Sequence, residues 1–310
     1  MADALAPLVR QELLDFDPDI VHVTMGRLAT LGVMLDDRPS VLAALDAWHL
    51  TRQAQADMER GAKRALMRRQ VAYVRRFEAS EYRRYDRVVV VSDEDRGALE
   101  LLDPSTQITV ISNGVDIPTE PIVGGPPPDP GRIMFHGVMS FAPNEMAADF
   151  LARRVLPRVR AWHPKASLAI VGREPSARVK ALAHLEGVMV AGEVSDVKPW
   201  LSGSRVYACG MVSGTGIKNK LLEAMACRTA CVATPLALQG LRAQPGLEVL
   251  VGVDAEQFAG QVSRVISDDE LAARLGQAGR DYVRRNHSWD AVAAAYERLY
   301  LEVCSARAAG

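Results

Sequence analysis

Short apolar runs alternate along this chain with longer stretches whose apolar residues recur at helical spacing, and that alternation constrains the fold most. The runs fall at residues 19–23, 40–45, 87–91 and 108–111, and again at 132–135, 167–171, 188–191, 205–209, 230–233 and 249–251. They read as buried strands. The stretches between them, at 4–14, 51–84, 145–163 and 217–227 and through the C-terminal tail, read as helices. Strand and helix in regular alternation predict an α/β fold of parallel sheets covered by helices.

The chain has 310 residues, room for two such layered domains. Residues 117–131 are dense in proline and glycine, including Gly124-Gly125-Pro126-Pro127-Pro128, which opposes a helix or a central strand. They mark a linker, set at 119–131, between a first domain at 1–118 and a second at 132–285, with a closing helix at 286–310 expected to pack back toward the first. Hydrophobic residues make up 48% and the formal net charge is −1. That balance gives no global field for nucleic acid or an anionic membrane. The arginine-rich stretch 64–87 carries apolar residues at helical spacing and reads as a solvated helix face. The cysteines, at 209, 227, 231 and 304, form no CxxC pair and read as buried free thiols rather than a zinc site. There is no leader-like start and no apolar run near the ~20 residues that span a bilayer. The expected location is the cytoplasm or the inner face of its membrane.

The densest chemical signal is Ser213-Gly214-Thr215-Gly216-Ile217-Lys218-Asn219-Lys220, opening a helix that runs on through Leu221, Leu222, Glu223, Ala224, Met225 and Ala226. A glycine-rich loop entering a helix offers unpaired backbone N–H groups and the positive end of the helix dipole, a natural phosphate seat. Lys218 and Lys220 oppose that dipole, so helix propensity does not explain them, whereas an anionic ligand would. A tight turn with two solvated lysines is the alternative. The spacing is not that of a Walker loop. Glu223 stands on an otherwise apolar helix face and needs donors: two vicinal ribose hydroxyls, or a neighbouring arginine or lysine.

The run from Gly214 to Lys218, with Glu223-Ala224-Met225-Ala226, resembles the donor-site signature of the retaining glycosyltransferases of family four (group 1), which have the two-domain GT-B fold, and within them the exopolysaccharide-type sugar transferases. Further matches follow in order: Gly137 with Pro143-Asn144; Val171-Gly172-Arg173; Gly192-Glu193-Val194-Ser195-Asp196-Val197; Ser288-Trp289; and upstream Ser92-Asp93 and Asn113-Gly114-Val115-Asp116. The resemblance implies two Rossmann-like domains facing a cleft, with the first one shortened: four strand candidates precede the linker, against roughly six in a doubly wound domain. It implies that Glu223 holds the nucleotide ribose, and that the amides of Gly214, Thr215, Gly216 and Ile217 hold the diphosphate with Lys218. Arg173 is a second phosphate candidate. Gly137 and Asn144 line the donor, Val194, Ser195 and Asp196 face the base, and Lys220 either joins the site or points to solvent. Thr215 replaces the first of two glutamates common in this signature.

The implied reaction moves a sugar from a nucleotide diphosphate sugar to a glycan, lipid-linked or natural-product acceptor, with retention and with neither metal nor cofactor. Lys218 and Arg173 would then stabilise the departing diphosphate. In the first domain Asp46 and His49 follow a strand end and are candidates for contact with donor or acceptor. His22 is expected in the core, and His136 is not counted in the site. Two other readings stand: a nucleotide-sugar-binding or partner subunit without turnover, and a sugar-nucleotide epimerase. A second copy or a partner subunit could cover the shortened domain.

Overall fold

The computed structural model describes residues 2–35, 38–119 and 121–308. Glu120 of the expected linker, and the terminal residues Met1, Ala309 and Gly310, lie outside the described residues. Contacts divide the chain into two compact units, 1–113 with 292–310, and 114–291.

The first unit is built on a parallel sheet of four strands, β1 (Val21–Thr24), β2 (Ser40–Leu45), β3 (Arg87–Val90) and β4 (Ile108–Val110), ordered 1-2-3-4. Helix α1 (Ala2–Phe16) precedes them and a 3₁₀ segment (Gly26–Met34) joins β1 to β2. Strand β2 is followed by α2 (Trp48–Met58) and α3 (Gly61–Glu81), and α4 (Asp93–Glu100) lies between β3 and β4. Alternate residues enter two cores. Leu42, Ala44, Val88 and Val90 pack with Ala29, Leu31 and Tyr82. Val41 and Val89 face the other way and meet Leu299 and Val303 of the last helix, α12 (Trp289–Ala308). Covering both faces explains why β2 reads as an unbroken apolar run. Strand β1 lies at the sheet's edge, and His22 on it is exposed rather than in the core: its Nδ1 lies 2.5 Å from the Tyr300 hydroxyl.

The expected single helix 51–84 is two helices. Glu59 and Arg60 are extended and Gly61 takes φ +59°, a conformation open to glycine, so the chain turns there. Ser92 caps α4, its hydroxyl accepting from the Asp95 N–H at 3.1 Å.

The second unit has six parallel strands, β5 (Asp129–His136), β6 (Ser167–Val171), β7 (Val188–Gly192), β8 (Ser204–Cys209), β9 (Ala230–Ala233) and β10 (Leu250–Val251). The sheet order β7-β6-β5-β8-β9-β10 is that of a doubly wound Rossmann-like domain, with the order reversing between β5 and β8. The helices are α5 (Ala142–Phe150), α6 (Leu156–Trp162), α7 (Ala177–Ala181), α8 (Lys198–Ser202), α9 (Asn219–Ala226), α10 (Ala255–Ser267) and α11 (Asp269–Asn286). A π-helical turn, Leu151–Val155, separates α5 from α6 within the expected helix 145–163. Pro157 follows it at the start of α6, where its missing N–H interrupts the regular ladder.

The proline- and glycine-rich segment belongs to this second unit. Ile117 and Ile122 pack on its core, and Arg132 Nη1 donates to the Pro127 carbonyl at 3.1 Å. Residues 129–131, expected to be linker, begin β5: Pro130 is accommodated at the strand's start, where the pairing with β8 shifts register between Asp129 and Ile133. The unit's first and last residues are joined. Val115 N donates to the His287 carbonyl at 2.8 Å, Trp289 Nε1 donates to Asp116 Oδ1 at 2.9 Å, and the indole lies so close to Gly114 that a Cβ there would come within 2.4 Å of it.

Candidate functional site

In doubly wound sheets, ligands bind beyond the carboxyl ends of the strands where the order reverses. Here that point lies between β5 and β8, and the residues that follow those strands include most of the candidates. Strand β5 ends in His136 and continues into Gly137. Strand β8 leads through Gly210 and the loop at 213–218 into α9.

Two glycines make the floor. Gly137 has φ +155° and Gly172, at the end of neighbouring β6, has φ +143°. A Cβ on Gly172 would lie 1.8 Å from the Gly137 carbonyl oxygen, and one on Gly137 would lie 2.7 Å from Asn144 Nδ2. The turns after β5 and β6 are therefore in backbone contact. Gly137 N donates to Val171 O at 3.1 Å, and Met139 N to Arg173 O at 2.9 Å.

Asn144, buried on α5, ties this floor to the second lysine. Its Nδ2 donates to the Val138 carbonyl at 2.9 Å, and its Oδ1 accepts from the Lys220 ammonium. Lys220 does not point to solvent. Its Nζ lies 5.3 Å from the centroid of the Phe135 ring and 3.8 Å from Met211 Sδ. Burial pushes its pKa down, against the weaker opposing pull of Cys209 and Glu223. A desolvated ammonium with one amide oxygen as its nearest acceptor is suited to an incoming anion.

The glycine-rich loop is shorter on helix than expected, because α9 begins at Asn219 and Lys218 is its N-cap residue. Gly214 and Gly216 take φ +104° and +72°. Lys218 is buried and curls over its own loop, its Nζ donating to the carbonyls of Thr215 at 3.2 Å and Gly216 at 2.5 Å. Lysine here shapes the loop as well as charging it.

Glu223 projects from α9, whose Leu221, Leu222, Ala224 and Met225 are buried. Its side chain keeps 41% of its surface, and its Oε2 lies 2.8 Å from His136 Nε2. The partner is neither the arginine nor the lysine foreseen. His136 Nδ1 is buried without a partner, so Nε2 is the nitrogen placed to carry the proton toward the carboxylate. The imidazole lies 5.3 Å from the ring of fully buried Tyr207, whose hydroxyl is pushed to higher pKa first by burial and further by charges that include Glu223. Sequence reasoning missed His136. The available signal was a titratable residue ending an apolar strand just before a glycine.

The remaining candidates fall as follows. Arg173 is exposed, and its guanidinium makes no hydrogen bond or ion pair among the described residues. Val194 packs on the unit's core, Ser195 and Asp196 are exposed, and Asp196 Oδ1 accepts from Lys198 N at 2.9 Å. In the first unit Asp46 is exposed at the end of β2, while His49 is buried, its Nδ1 2.6 Å from Oε2 of Glu78, itself 1% exposed. That pair ties α2 to α3, a structural task. His49→Gln is expected to lower the melting temperature by a few degrees, for a loss of about 1–2 kcal/mol, and to leave nucleotide affinity unchanged. Loss of affinity in a normally folded His49→Gln protein would instead return the residue to the site. Cys209, Cys227 and Cys231 are buried free thiols, and burial raises Cys209 to about 11. No group of three or more metal-ligating side chains occurs among the described residues. No described helix is long and apolar enough to cross a membrane.

Comparison with known proteins finds a glycosyltransferase family model in each half of the chain. Residues 2–118 match the family model described as Glycosyltransferase Family 4, and residues 130–268 the model described as Glycosyl transferases group 1. Among solved structures, sucrose-phosphate synthase from Thermosynechococcus elongatus superposes with a TM-score of 0.71 at 17% identity, over 97% of this chain and 78% of that one. A glycosyltransferase from Rickettsia africae gives 0.68 at 15% identity, over 96% and 80%. HepE from Anabaena, solved with UDP, gives 0.67 at 14% identity, over 96% and 82%. With two Rossmann-like units and a model match in each, the chain is a group 1 glycosyltransferase of the GT-B fold.

Proposed function

We propose that the protein transfers a sugar from a nucleotide diphosphate sugar to a glycan, lipid-linked or small-molecule acceptor, with retention at the anomeric carbon and without a divalent metal. The observation that carries this reading is Glu223, a half-exposed carboxylate held by His136 beside a glycine loop and a buried ammonium, all at the point where the strand order reverses. In this reading the carboxylate accepts both ribose hydroxyls. The amides from Gly214 to Ile217 and the dipole of α9 face the diphosphate, and the segment from Val194 to Asp196 faces the base. Lys220, Lys218 and Arg173 supply the positive charge.

The anomeric C–O bond to the diphosphate breaks as the bond to the acceptor oxygen forms on the same face. The acceptor's proton passes to the departing phosphate oxygen. The protein then contributes positioning and charge stabilisation rather than a nucleophile. Lys220 has the larger part, because its ammonium is desolvated while Lys218 is engaged by its own loop. Lys220→Met is expected to reduce affinity for the nucleoside diphosphate roughly tenfold and affinity for the nucleoside alone hardly at all. Equal loss for both ligands would assign the lysine to folding. The overall reading is tested by product formation from a panel of UDP-, GDP- and dTDP-sugars. Binding of a donor without turnover on any acceptor class would favour the non-catalytic subunit.

A further inference from the structure

The first unit holds a second basic cluster, which the donor site does not use. Beyond the carboxyl ends of β1 and β2, the guanidinium carbon of Arg27 lies 5.4 Å from the centroid of the Trp48 ring, and that of Arg52 lies 5.6 Å from the same centroid. Arg52 Nη1 also donates to Gln55 Oε1 at 3.2 Å. Among the described residues Arg27 has no other polar partner, and no ion pair to a carboxylate is formed by either guanidinium. An indole face attracts one cation readily, but a second cation on the same ring is repelled by the first. Protein surfaces usually relieve such repulsion with an acidic neighbour. Neither Arg27 nor Arg52 has such a partner among the described residues, so their charges are open to a ligand from outside.

The platform beneath them is rigid. Trp48 meets Phe77 edge-on at 6.2 Å, and Phe77 meets Tyr82 at 6.5 Å. A Cβ on Gly26 would lie 2.0 Å from the Tyr82 hydroxyl oxygen, so the loop bearing Arg27 rests directly on that ring. The hydroxyl is buried and has no hydrogen-bond partner. Met25 and Leu45, which flank the cluster at the strand ends, take φ +82° and +73°, a conformation that side-chain-bearing residues rarely adopt. Helix α2 starts at Trp48 with no side-chain cap, and the buried His49 and Glu78 pair anchors its first turn.

We propose that Arg27 and Arg52, stacked on Trp48, form a seat for a phosphate group carried by the acceptor, so that the acceptor substrate is a phosphate ester. Guanidinium forks match phosphate oxygens, and two of them balance a phosphate monoester's charge of about −2, where a carboxylate brings only one. This deepens the transferase reading and rests on it. The same chemistry could come from a soluble ester or from a lipid headgroup.

The test is calorimetric titration of the full chain, with and without UDP. The probes are sn-glycerol 3-phosphate, phosphatidylcholine vesicles containing phosphatidic acid, glucuronate and glycerol. The expected result is that at least one phosphate probe binds, and that the Arg27→Gln/Arg52→Gln double variant binds it at least about tenfold more weakly. The variant should keep the parent's melting temperature and UDP affinity, since both side chains belong to the first unit. Preference between the two phosphate probes identifies the source. The proposal is overturned if neither phosphate probe binds, if glucuronate or glycerol binds as well, or if the double variant matches the parent. Arginine-dependent phosphate binding by a chain that ignores all nucleotides would instead leave this seat standing and remove the donor reading.

Discussion

Replacing Glu223 with alanine is expected to weaken binding of the preferred nucleotide about a hundredfold. Hydrogen bonds to a charged acceptor contribute about 1.5–3 kcal/mol each. Two from vicinal hydroxyls, less what the free carboxylate gains from water, come to about 3 kcal/mol. The carboxylate is already oriented: α9 is fixed by its buried neighbours, and His136 holds Oε2 from below. Little ordering is left for the ligand to impose, so most of the interaction should appear as affinity. Folding should suffer less, because the side chain keeps 41% of its surface exposed. Titration calorimetry of Glu223→Ala and Glu223→Gln measures the effect. Affinity within about twofold of the parent for the alanine variant would show that the ribose is held elsewhere. The glutamine variant retains one acceptor oxygen and should fall between.

Gly172→Ala should be the most damaging single-methyl change near the site, costing about 3 kcal/mol or more of stability. The added Cβ would sit 1.8 Å from the Gly137 carbonyl oxygen, which is backbone and cannot swing aside. Its φ of +143° is also unsuited to a side chain. Relief requires the ends of β5 and β6 to part, and the Gly137 N–H bond to the Val171 carbonyl would part with them. Chemical denaturation of the variant reads the loss directly. If the protein keeps its parent's midpoint, the two turns are not pressed together as described. Donor binding should fall as well, because Gly137 carries the backbone that precedes Asn144 and its lysine.

Strand β2 was legible because it is covered on both faces. Val41 and Leu42 enter opposite cores, and a doubly covered strand must be apolar throughout. The break at Glu59 and Arg60 was not, since the sequence on either side keeps helical spacing and only Gly61 signals a turn. Loop and carboxylate were visible in the site as local patterns: glycines with positive φ before a helix, and one acid among buried neighbours. What could not be read was direction. Lys218 and Lys220 are two residues apart, yet one folds over its own loop and the other reaches Asn144, 76 positions away. His136 and Glu223 meet across 87 positions because β5 and β8 are neighbours in the sheet, a fact of topology.

The clasp of Gly114 to Asp116 against Ser288 and Trp289 brings the two ends of the second unit to one place. A module with adjoining ends behaves as a cassette. Residues 114–291 should be excisable as a free-standing protein, and exchangeable between relatives by two cuts at the same doorway. Evolution could then replace this unit whole without rebuilding the other.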